Sequence, residues 1–349
     1  MKFHIMYFKK LTIAFLAIMF HSFVFAQGKY FQVISLQMEN NFSFPVFSSK
    51  KDSVSCKKIN HFLQLSELEL LHGYEKKNPF ERVAIDPVNP IPGKEMINYK
   101  VQRNDSNLLS ISFAQSYCGA GCTYWCSYYN FNPATGEVIY LKDLFTEKGY
   151  ATFTQMVFEK RMASFSNEKK KLDSNQKADF DAVPACYKTD PLRDYYISND
   201  TLFLDRSLCF ARSLSTSEIN PLTAIACKEL KEFLNEYGLK VMLNRKGFMK
   251  IYQSNQLPQL FEGTIGSHQI VFILNFLGKE NISGIYFNLA TGRNFQLRGK
   301  FIDNKLQFTE YNNINQEQGF IVGQFSGADI VGYHFNKEKK EPLGFQIRH

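Results

Sequence analysis

Eight short strand-like segments in the C-terminal part of this 349-residue chain limit its fold more than any other feature of the sequence. They recur about every ten residues and carry aromatic and β-branched side chains, with turn-forming residues and no helix-like stretch between them. This pattern is typical of a small barrel or sandwich. We therefore predict an all-β module over residues 255–349, preceded by a linker at 254–258, with strands at 260–265, 269–276, 284–289, 294–299, 305–311, 319–325, 330–335 and 343–347.

Residues 27–250 alternate strand-like and helix-like patterns without the regular succession that a parallel βαβ sheet requires. Turn residues and alternation predict strands at 30–37, 98–103, 108–117, 123–132, 137–141, 194–198 and 201–204. Apolar spacing predicts helices around 59–71, closed by Gly73, at 147–166 with Thr146 as N-cap, and at 226–237, ended by Gly238. We expect an α+β domain in which helices pack on an antiparallel sheet.

The two domains share a short sequence pattern. Residues 129–136 begin with Tyr and end in Asn-Pro-Ala-Thr-Gly, and residues 286–292 begin with Tyr and end in Asn-Leu-Ala-Thr-Gly. Gly136 and Gly292 can supply the positive φ that a tight hairpin turn requires. We interpret the pattern as one turn that arose twice rather than as a duplicated domain.

The first 26 residues have the features of a signal peptide. Lys9 and Lys10 precede an apolar run over 11–20, and Val24 and Ala26 occupy the −3 and −1 positions of a cleavage site before Gln27. The alternative, an uncleaved anchor, is disfavoured because the run is shorter than the roughly 20 residues that a spanning helix needs. We expect a secreted, periplasmic or surface protein without a membrane span after cleavage.

The charge of the chain does not indicate a polyanionic partner. Cleavage removes three lysines and lowers the formal net charge from +8 to +5, because residues 1–26 contain no acid. The remaining cations are interspersed with acids; even Lys169, Lys170 and Lys171 are flanked by Glu168 and Asp173. We interpret such runs as solvated faces, and nucleic acid is not an expected partner.

Seven cysteines in an exported chain favour disulfides over metal ligands. On a straight strand, neighbours among Cys118, Cys122 and Cys126 would lie about 13 Å apart, and a disulfide needs Cα atoms within about 7 Å. Unless Gly119 and Gly121 fold the segment back, these three would pair with Cys186, Cys209 and Cys227, and Cys56 would be left over. The 15 pairings of six cysteines stay open. A zinc site is the lesser alternative, since no Cys-x-x-Cys pair or nearby His accompanies them.

Common catalytic and cofactor signatures are absent from the sequence. It contains no His-Glu-x-x-His, Gly-x-Ser-x-Gly, P-loop or Gly-x-Gly-x-x-Gly pattern. We therefore predict no catalytic, cofactor or metal residues, and a protein that is not an enzyme. The alternative is an envelope glycan hydrolase in which Asp143 or Glu137 acts as acid or base.

The densest group of aromatic residues lies at 117–131. On a strand, Tyr124 and Tyr128 share one face, and Trp125 and Tyr129 share the other. An exposed aromatic face could stack on sugar rings or anchor a protein partner, whereas the simpler interpretation is a core strand. These four residues are the candidate ligand-binding residues.

Several segments resemble the extracytoplasmic domain of RsiV-type anti-sigma factors, which also accompanies the polysaccharide deacetylase PdaC and many secreted Bacteroidetes-type proteins. The resemblance rests on residues 107–113, Gly119-Ala120-Gly121, residues 128–137, residues 140–145 and residues 195–204, and it extends over about 30–245. It implies an α+β fold and, for RsiV, lysozyme binding. The C-terminal module resembles small β modules appended to secreted proteins of the same bacteria.

Two departures from that family limit what the resemblance implies. Gly119-Ala120-Gly121-Cys122 stands where the family usually has Gly-Gly-Ala-His, so any role of that His is missing. The RsiV-type cytoplasmic segment and membrane span are replaced by a signal peptide. Lysozyme is itself basic, so a chain at +5 would not attract it by general electrostatics.

Three functions follow as hypotheses. The first is a secreted binding protein whose ligand is cell-wall glycan or an envelope or lysozyme-like protein. The second is the glycan hydrolase described above. The third is a structural or assembly protein whose β module docks a partner through an edge strand.

Overall fold

The structure is a computed structural model, and it describes residues 30–39, 41–85, 93–118, 121–171, 180–210, 220–245, 256–278, 280–337 and 341–349. The predicted signal peptide and residues 254–255 of the predicted linker lie outside these residues. Within the described ranges, none of the helices combines the length and apolar character needed to cross a bilayer.

A five-stranded sheet forms the centre of the N-terminal domain. Its strands follow the chain in order: β1 (Gln32–Met38), β2 (Phe42–Ser48), β3 (Met96–Asn104), β4 (Leu109–Cys118) and β5 (Cys122–Phe131). The sheet is mixed rather than wholly antiparallel, because β2 and β3 run parallel and meet at Phe42 and Ile97. Chain between these strands forms helix α1 (Ser53–Glu67), whose apolar side packs on the sheet through Ile59, Phe62 and Leu63.

A second layer covers the other side of this sheet. It consists of α2 (Glu147–Lys169), α3 (Val183–Thr189), the antiparallel strands β6 (Tyr195–Ser198), β7 (Thr201–Asp205) and β8 (Leu222–Ala226), and α4 (Glu236–Leu243). Strands β6 to β8 and helices α2 and α4 enclose a separate buried cluster that includes Phe153, Ile197 and Val241. Thr146 caps α2 as predicted, since its hydroxyl accepts a hydrogen bond from Gly149 N at 3.0 Å. The α+β class is confirmed.

The helix predicted at 226–237 is wrong. A 3-10 helix (Cys227–Phe233) occupies most of that span, and α4 begins only after Asn235. The Asn235 side chain accepts from Gly238 N at 2.9 Å and donates to the carbonyls of Asp143 and Phe145. Gly238 lies inside α4 and does not end a helix. An added Cβ there would lie 1.9 Å from Leu144 O, so the glycine permits α4 to pack closely against residue 144.

The strand predicted at 137–141 is also wrong. One bridge joins Phe131 to Val138, after which a 3-10 helix (Leu141–Leu144) begins. The carboxylate of Asp143 accepts from Gln256 Nε2 at 2.7 Å, which links this turn to the start of the C-terminal module.

The C-terminal module is a closed eight-stranded antiparallel barrel, which confirms the barrel of the two predicted architectures. Its strands are β9 (Gln259–Ile265), β10 (His268–Phe276), β11 (Asn281–Asn288), β12 (Arg293–Ile302), β13 (Lys305–Tyr311), β14 (Glu317–Ser326), β15 (Asp329–Asn336) and β16 (Leu343–Arg348). Pairing of β16 with β9 closes the barrel. Phe261, Phe272, Phe308 and Phe345 lie in its apolar interior.

The barrel and the N-terminal domain share one core. Val271, Ile273, Ile285 and Phe287 belong to the same buried cluster as the apolar side of α1. Tyr74 packs edge-on against Phe287, with ring centroids 5.0 Å apart. A stable arrangement of the two domains follows, because separating them would expose this apolar surface to water.

An ion cluster extends this interface at the surface. The Glu262 carboxylate of β9 lies 3.3 Å from His61 Nδ1 and 3.2 Å from Lys57 Nζ, both in α1. His61 and Lys57 lower the pKa of Glu262 to about 2. Since the Glu262 side chain is 45% exposed, we expect a small stabilising contribution from this cluster.

Candidate functional site

The structure separates the four aromatic residues predicted to bind a ligand. Tyr124 is 67% exposed, whereas Trp125 is partly buried. Tyr129 packs against Phe62, Phe113 and Phe131, and its hydroxyl donates to Glu67 Oε1 at 2.6 Å. Tyr129 is therefore a core residue, and ligand binding by these four residues stays a prediction.

Tyr128 belongs to a stacked aromatic column. Its ring lies 5.6 Å from that of Tyr196, and Tyr196 lies 4.7 Å from Phe203. The Tyr128 hydroxyl donates to Asp205 Oδ2 at 2.7 Å. Burial, together with this carboxylate, raises the pKa of Tyr128 far above its usual value, so the phenol stays protonated. These contacts join β5 to β6 and β7, which gives Tyr128 a structural role.

An acidic group lies beside this column. Burial raises the pKa of Asp194 to about 6, and the nearby charges of Asp205 and Asp190 add to the effect. Arg161 is fully buried and pairs with Asp190, which supplies part of the compensating charge. The ion pair of Asp190 with the buried Arg161 therefore has a structural role in the second layer.

The predicted three-to-three disulfide arrangement is wrong. Cys118 bonds to Cys122, with Cα atoms 4.0 Å apart, because the chain reverses between β4 and β5 and places the two residues opposite each other. Cys186 bonds to Cys209. Cys126 and Cys227 are free thiols, as is Cys56, which the sequence analysis left unpaired. Cys126 is exposed on β5, whereas Cys56 and Cys227 are buried.

One set of three metal-ligating groups occurs within the described residues. Glu95, Cys118 and Cys122 each bring a ligand atom within 4.8 Å of the others. The two sulfur atoms are joined in the disulfide, and a disulfide lacks the thiolate charge that zinc requires. This cluster does not support a metal centre in the oxidised protein.

The carboxylates of the hydrolase hypothesis have separate structural partners. Glu137 lies 3.9 Å from Lys58 Nζ, and burial raises the pKa of Glu137. Asp143 accepts from Gln256, as described above. The prediction that Asp143 or Glu137 acts in catalysis stays a prediction.

The outer wall of the barrel carries a concave surface that the sequence analysis missed. We name it the outer groove; it has a volume of about 730 Å³ and crosses strands β9 and β13 to β16. Tyr333 at its side is 57% exposed. Gly344 stands opposite Tyr333 in the neighbouring strand, and a Cβ there would meet no atom within 4 Å. The missing side chain leaves the space that forms the groove.

The lining of the outer groove is mainly apolar, with a few polar groups and a single charge. Its outward side chains combine the Tyr333 ring and two valines with three amides and a hydroxyl, and Lys305 is its one charged residue: Thr264, Lys305, Gln307, Val322, Gln324, Val331, Tyr333 and Gln346. The side chains of Leu306 and Phe345 belong to the barrel interior. Phe320 and Phe335 stack next to it with centroids 4.4 Å apart. Alternate outward positions of β14 and β15 are therefore apolar or aromatic, and this period of two was visible in the sequence.

No protein-family model matches the chain, and no curated protein matches it. Two solved structures are similar to its fold. A DUF3298 family member from Bacteroides fragilis is 15% identical, with a TM-score of 0.42, over 62% of this chain and 99% of that chain. A DUF3298 family protein from Pseudomonas aeruginosa is 13% identical, with a TM-score of 0.41, over 60% of this chain and 95% of that chain. DUF3298 is a domain of unknown function. Similarity at this level assigns no activity to the chain.

Proposed function

We propose that the protein is an exported, non-enzymatic binding protein of the cell envelope, and that its outer groove binds neutral cell-wall glycan. The observation that carries the proposal is the exposed Tyr333 ring beside the amides of Gln307, Gln324 and Gln346 in one concave surface.

The chemistry of these groups matches that of a sugar chain. A pyranose ring has apolar C–H faces, which pack on aromatic rings, and hydroxyl groups that both donate and accept hydrogen bonds. Each glutamine amide also both donates and accepts, so it can bond to two neighbouring hydroxyls. Tyr333 adds a rigid ring with a polar end.

The charge of the groove favours a neutral ligand. Lys305 is the one charged residue in the lining. A polyanion would require several Lys or Arg side chains to neutralise its phosphates. An open groove also suits a polymer, since a long chain can enter and leave from either side.

The predicted signal peptide and the resemblance to RsiV-type and PdaC-type extracytoplasmic domains support an envelope location. A lysozyme-like or other envelope protein is the alternative ligand. Docking by strand addition to the barrel is not open to such a partner, because pairing of β9 with β16 closes the barrel and leaves no free edge.

Calorimetric titration with a neutral N-acetylglucosamine oligomer tests the proposal. We expect wild-type protein to bind, and Tyr333→Ala to weaken binding at least tenfold by removing the ring. Gly344→Leu should also weaken it at least tenfold by filling the groove, and this variant should fold because the site has free space.

Tyr124→Ala is the matched control, because it removes an exposed tyrosine from β5 in the N-terminal domain. It should leave affinity unchanged. Binding that survives both groove substitutions, or that Tyr124→Ala abolishes, would place the site elsewhere. Absence of binding to the oligomer would remove neutral glycan as the ligand.

A further inference from the structure

The outer groove adjoins a second concave surface on the barrel wall. We name it the side pocket; it has a volume of about 420 Å³ and lies where strands β9, β10 and β16 approach helix α1. Its outward side chains come from the barrel and, in one case, from α1: Lys57, Glu262, Thr264, Gln269, Val271, Leu289, Gln346 and Arg348. Thr264 and Gln346 also line the outer groove, so the two surfaces meet at this pair of side chains.

Thr264 and Gln346 point away from the barrel interior. They stand opposite each other in the pairing of β9 with β16. Their chain neighbours Ile265 and Phe345 lie in the apolar interior, and successive side chains of a strand alternate between its two faces. Gln346 is exposed, so its amide can bond to a ligand on either side of the junction.

The side pocket offers the same kinds of contact as the outer groove. Gln269 is exposed on β10 and adds an amide that can both donate and accept. Val271 and Leu289 provide apolar surface in the same lining. A sugar chain packs its C–H faces on apolar groups and bonds through its hydroxyls, so it can use both surfaces.

The charges of the side pocket are paired within the protein. Lys57 Nζ lies 3.2 Å from Glu262 Oε1, and Arg348 Nε lies 3.5 Å from Asp329 Oδ2. Each of the two cations in the lining is thus matched by a carboxylate, and no excess charge favours an ionic ligand. A neutral chain therefore suits the side pocket as it suits the outer groove.

One wall of the side pocket comes from the N-terminal domain. Lys57 lies on α1, and Val271 of the barrel belongs to the same buried cluster as the apolar side of α1. This packing holds α1 against the barrel, so the wall is in place before a ligand binds. A site that includes the side pocket would use residues of both domains.

We propose that the side pocket is a second part of the glycan site, and that one ligand chain crosses from the outer groove over Thr264 and Gln346 into it. This extension rests on the glycan binding proposed above and adds a preference for extended chains over short fragments. The volume of the side pocket is within the range of small-molecule sites. Neighbouring strands lie about 4.8 Å apart, which is comparable with the length of a sugar ring, so the step from β9 to β10 lengthens the site by about one sugar unit.

Calorimetric titration with the trisaccharide and the hexasaccharide of N-acetylglucosamine tests the extension, on the chain without the predicted signal peptide. We expect the wild-type protein to bind the hexasaccharide at least tenfold more tightly, which exceeds the few-fold gain that a longer chain has from its additional binding registers. Lys57→Ala and Gln269→Ala should each remove most of this preference and leave trisaccharide affinity unchanged, because the trisaccharide needs only the outer groove. Tyr333→Ala should weaken the binding of both oligomers.

Lys58→Ala is the matched control, because Lys58 is next to Lys57 on α1, lies 3.9 Å from Glu137 and is outside the lining of the side pocket. It should keep wild-type affinity for both oligomers, and unchanged trisaccharide binding shows that each variant is folded. Equal affinities of the wild-type protein for the two oligomers, or equal losses of hexasaccharide binding in Lys57→Ala and Lys58→Ala, would overturn the extension and leave the outer groove as a glycan site. Failure of both oligomers to bind would instead remove neutral glycan as the ligand, and the extension with it.

Discussion

The tight turns at 132–136 and 288–292 have the same construction but lie in different domains. In the first, Asn132 Oδ1 accepts from Ala134 N at 2.9 Å, and Gly136 has φ +76°. In the second, Asn288 Oδ1 accepts from Ala290 N at 3.0 Å, and Gly292 has φ +64°. Both are preceded by a phenylalanine, Phe131 or Phe287, that is buried in the shared core. One local solution thus contributes to the same core from two domains.

The residue before each phenylalanine differs, and it determines the role of the hairpin. Asn130 is buried and donates to the Tyr195 carbonyl at 2.8 Å, so it fastens β5 to the second layer. Tyr286 donates to Glu310 and lines a polar cavity of about 380 Å³ at one end of the barrel interior. Two turns of closely similar sequence thus place a phenylalanine in the same core, while the opposite face contacts the second layer in the first case and a polar cavity in the other.

The largest predicted effect concerns the shared core. Phe131→Ala and Phe287→Ala each remove a fully buried ring, so each should lower the free energy of unfolding by about 3–5 kcal/mol. Trp125 is the single tryptophan and lies in the N-terminal sheet. Its fluorescence during urea unfolding should therefore report the loss caused by Phe287→Ala in the barrel.

Phe320→Ala is the control for this pair, because Phe320 is on the outside of the barrel and 46% exposed. It should change the Trp125 transition by less than about 1 kcal/mol. If Phe287→Ala left that transition unchanged, the two domains would unfold independently and the shared core would not couple them.

A smaller effect distinguishes the two turn glycines. Alanine at a left-handed position costs about 1–2 kcal/mol, and both Gly136→Ala and Gly292→Ala incur this cost. An added Cβ at Gly136 would also lie 2.7 Å from Ser55 O in α1, whereas at Gly292 its nearest neighbour is the Tyr74 ring at 3.4 Å. Urea unfolding should show a loss for Gly136→Ala that exceeds the loss for Gly292→Ala by about 1 kcal/mol or more. Equal losses would contradict the tighter packing of the first turn on α1.

The smallest effect concerns Asp194, which lies beside the aromatic column of Tyr128 in the second layer. Asp194 has a pKa of about 6 in the folded protein against 3.8 in its ordinary state, so the folded state binds its proton more tightly. Stability from this group is therefore present at low pH and is lost as pH rises through 6. Because Asp194 is partly exposed, we expect a loss of about 1–2 kcal/mol between pH 4 and 7. Unfolding measured across that range should be flatter in Asp194→Asn, and parallel curves for the two proteins would show that Asp194 does not titrate in this way.

Local patterns in the sequence predict much of the fold. Outward and inward alternation, together with turn residues, locates all eight barrel strands and the hairpin of β6 and β7. The error at 226–237 has a tertiary cause, because Asn235 and Gly238 contact residues 143–145, which are distant in sequence. Likewise, the Cys118–Cys122 bond depends on the chain reversal between β4 and β5, which spacing on a straight strand does not include.

The candidate sites could be predicted only in part. An outward aromatic stripe along β14 and β15 was readable from alternation, although the groove also needs Gly344 across from Tyr333. The polar cluster inside the barrel joins Tyr286, Glu310 and His334 from β11, β13 and β15, which become neighbours only when the barrel closes. The aromatic density around Trp125, in contrast, reflects core packing and the column under Tyr128.

Backbone hydrogen exchange, measured with and without the neutral oligosaccharide, tests most directly whether the barrel, and not the hairpin of β4 and β5, binds the ligand. We expect saturating oligomer to slow backbone exchange in peptides from β14, β15 and β16 and to leave exchange in β4 and β5 unchanged. Slower exchange confined to β4 and β5, around Tyr124 and Trp125, would contradict this expectation.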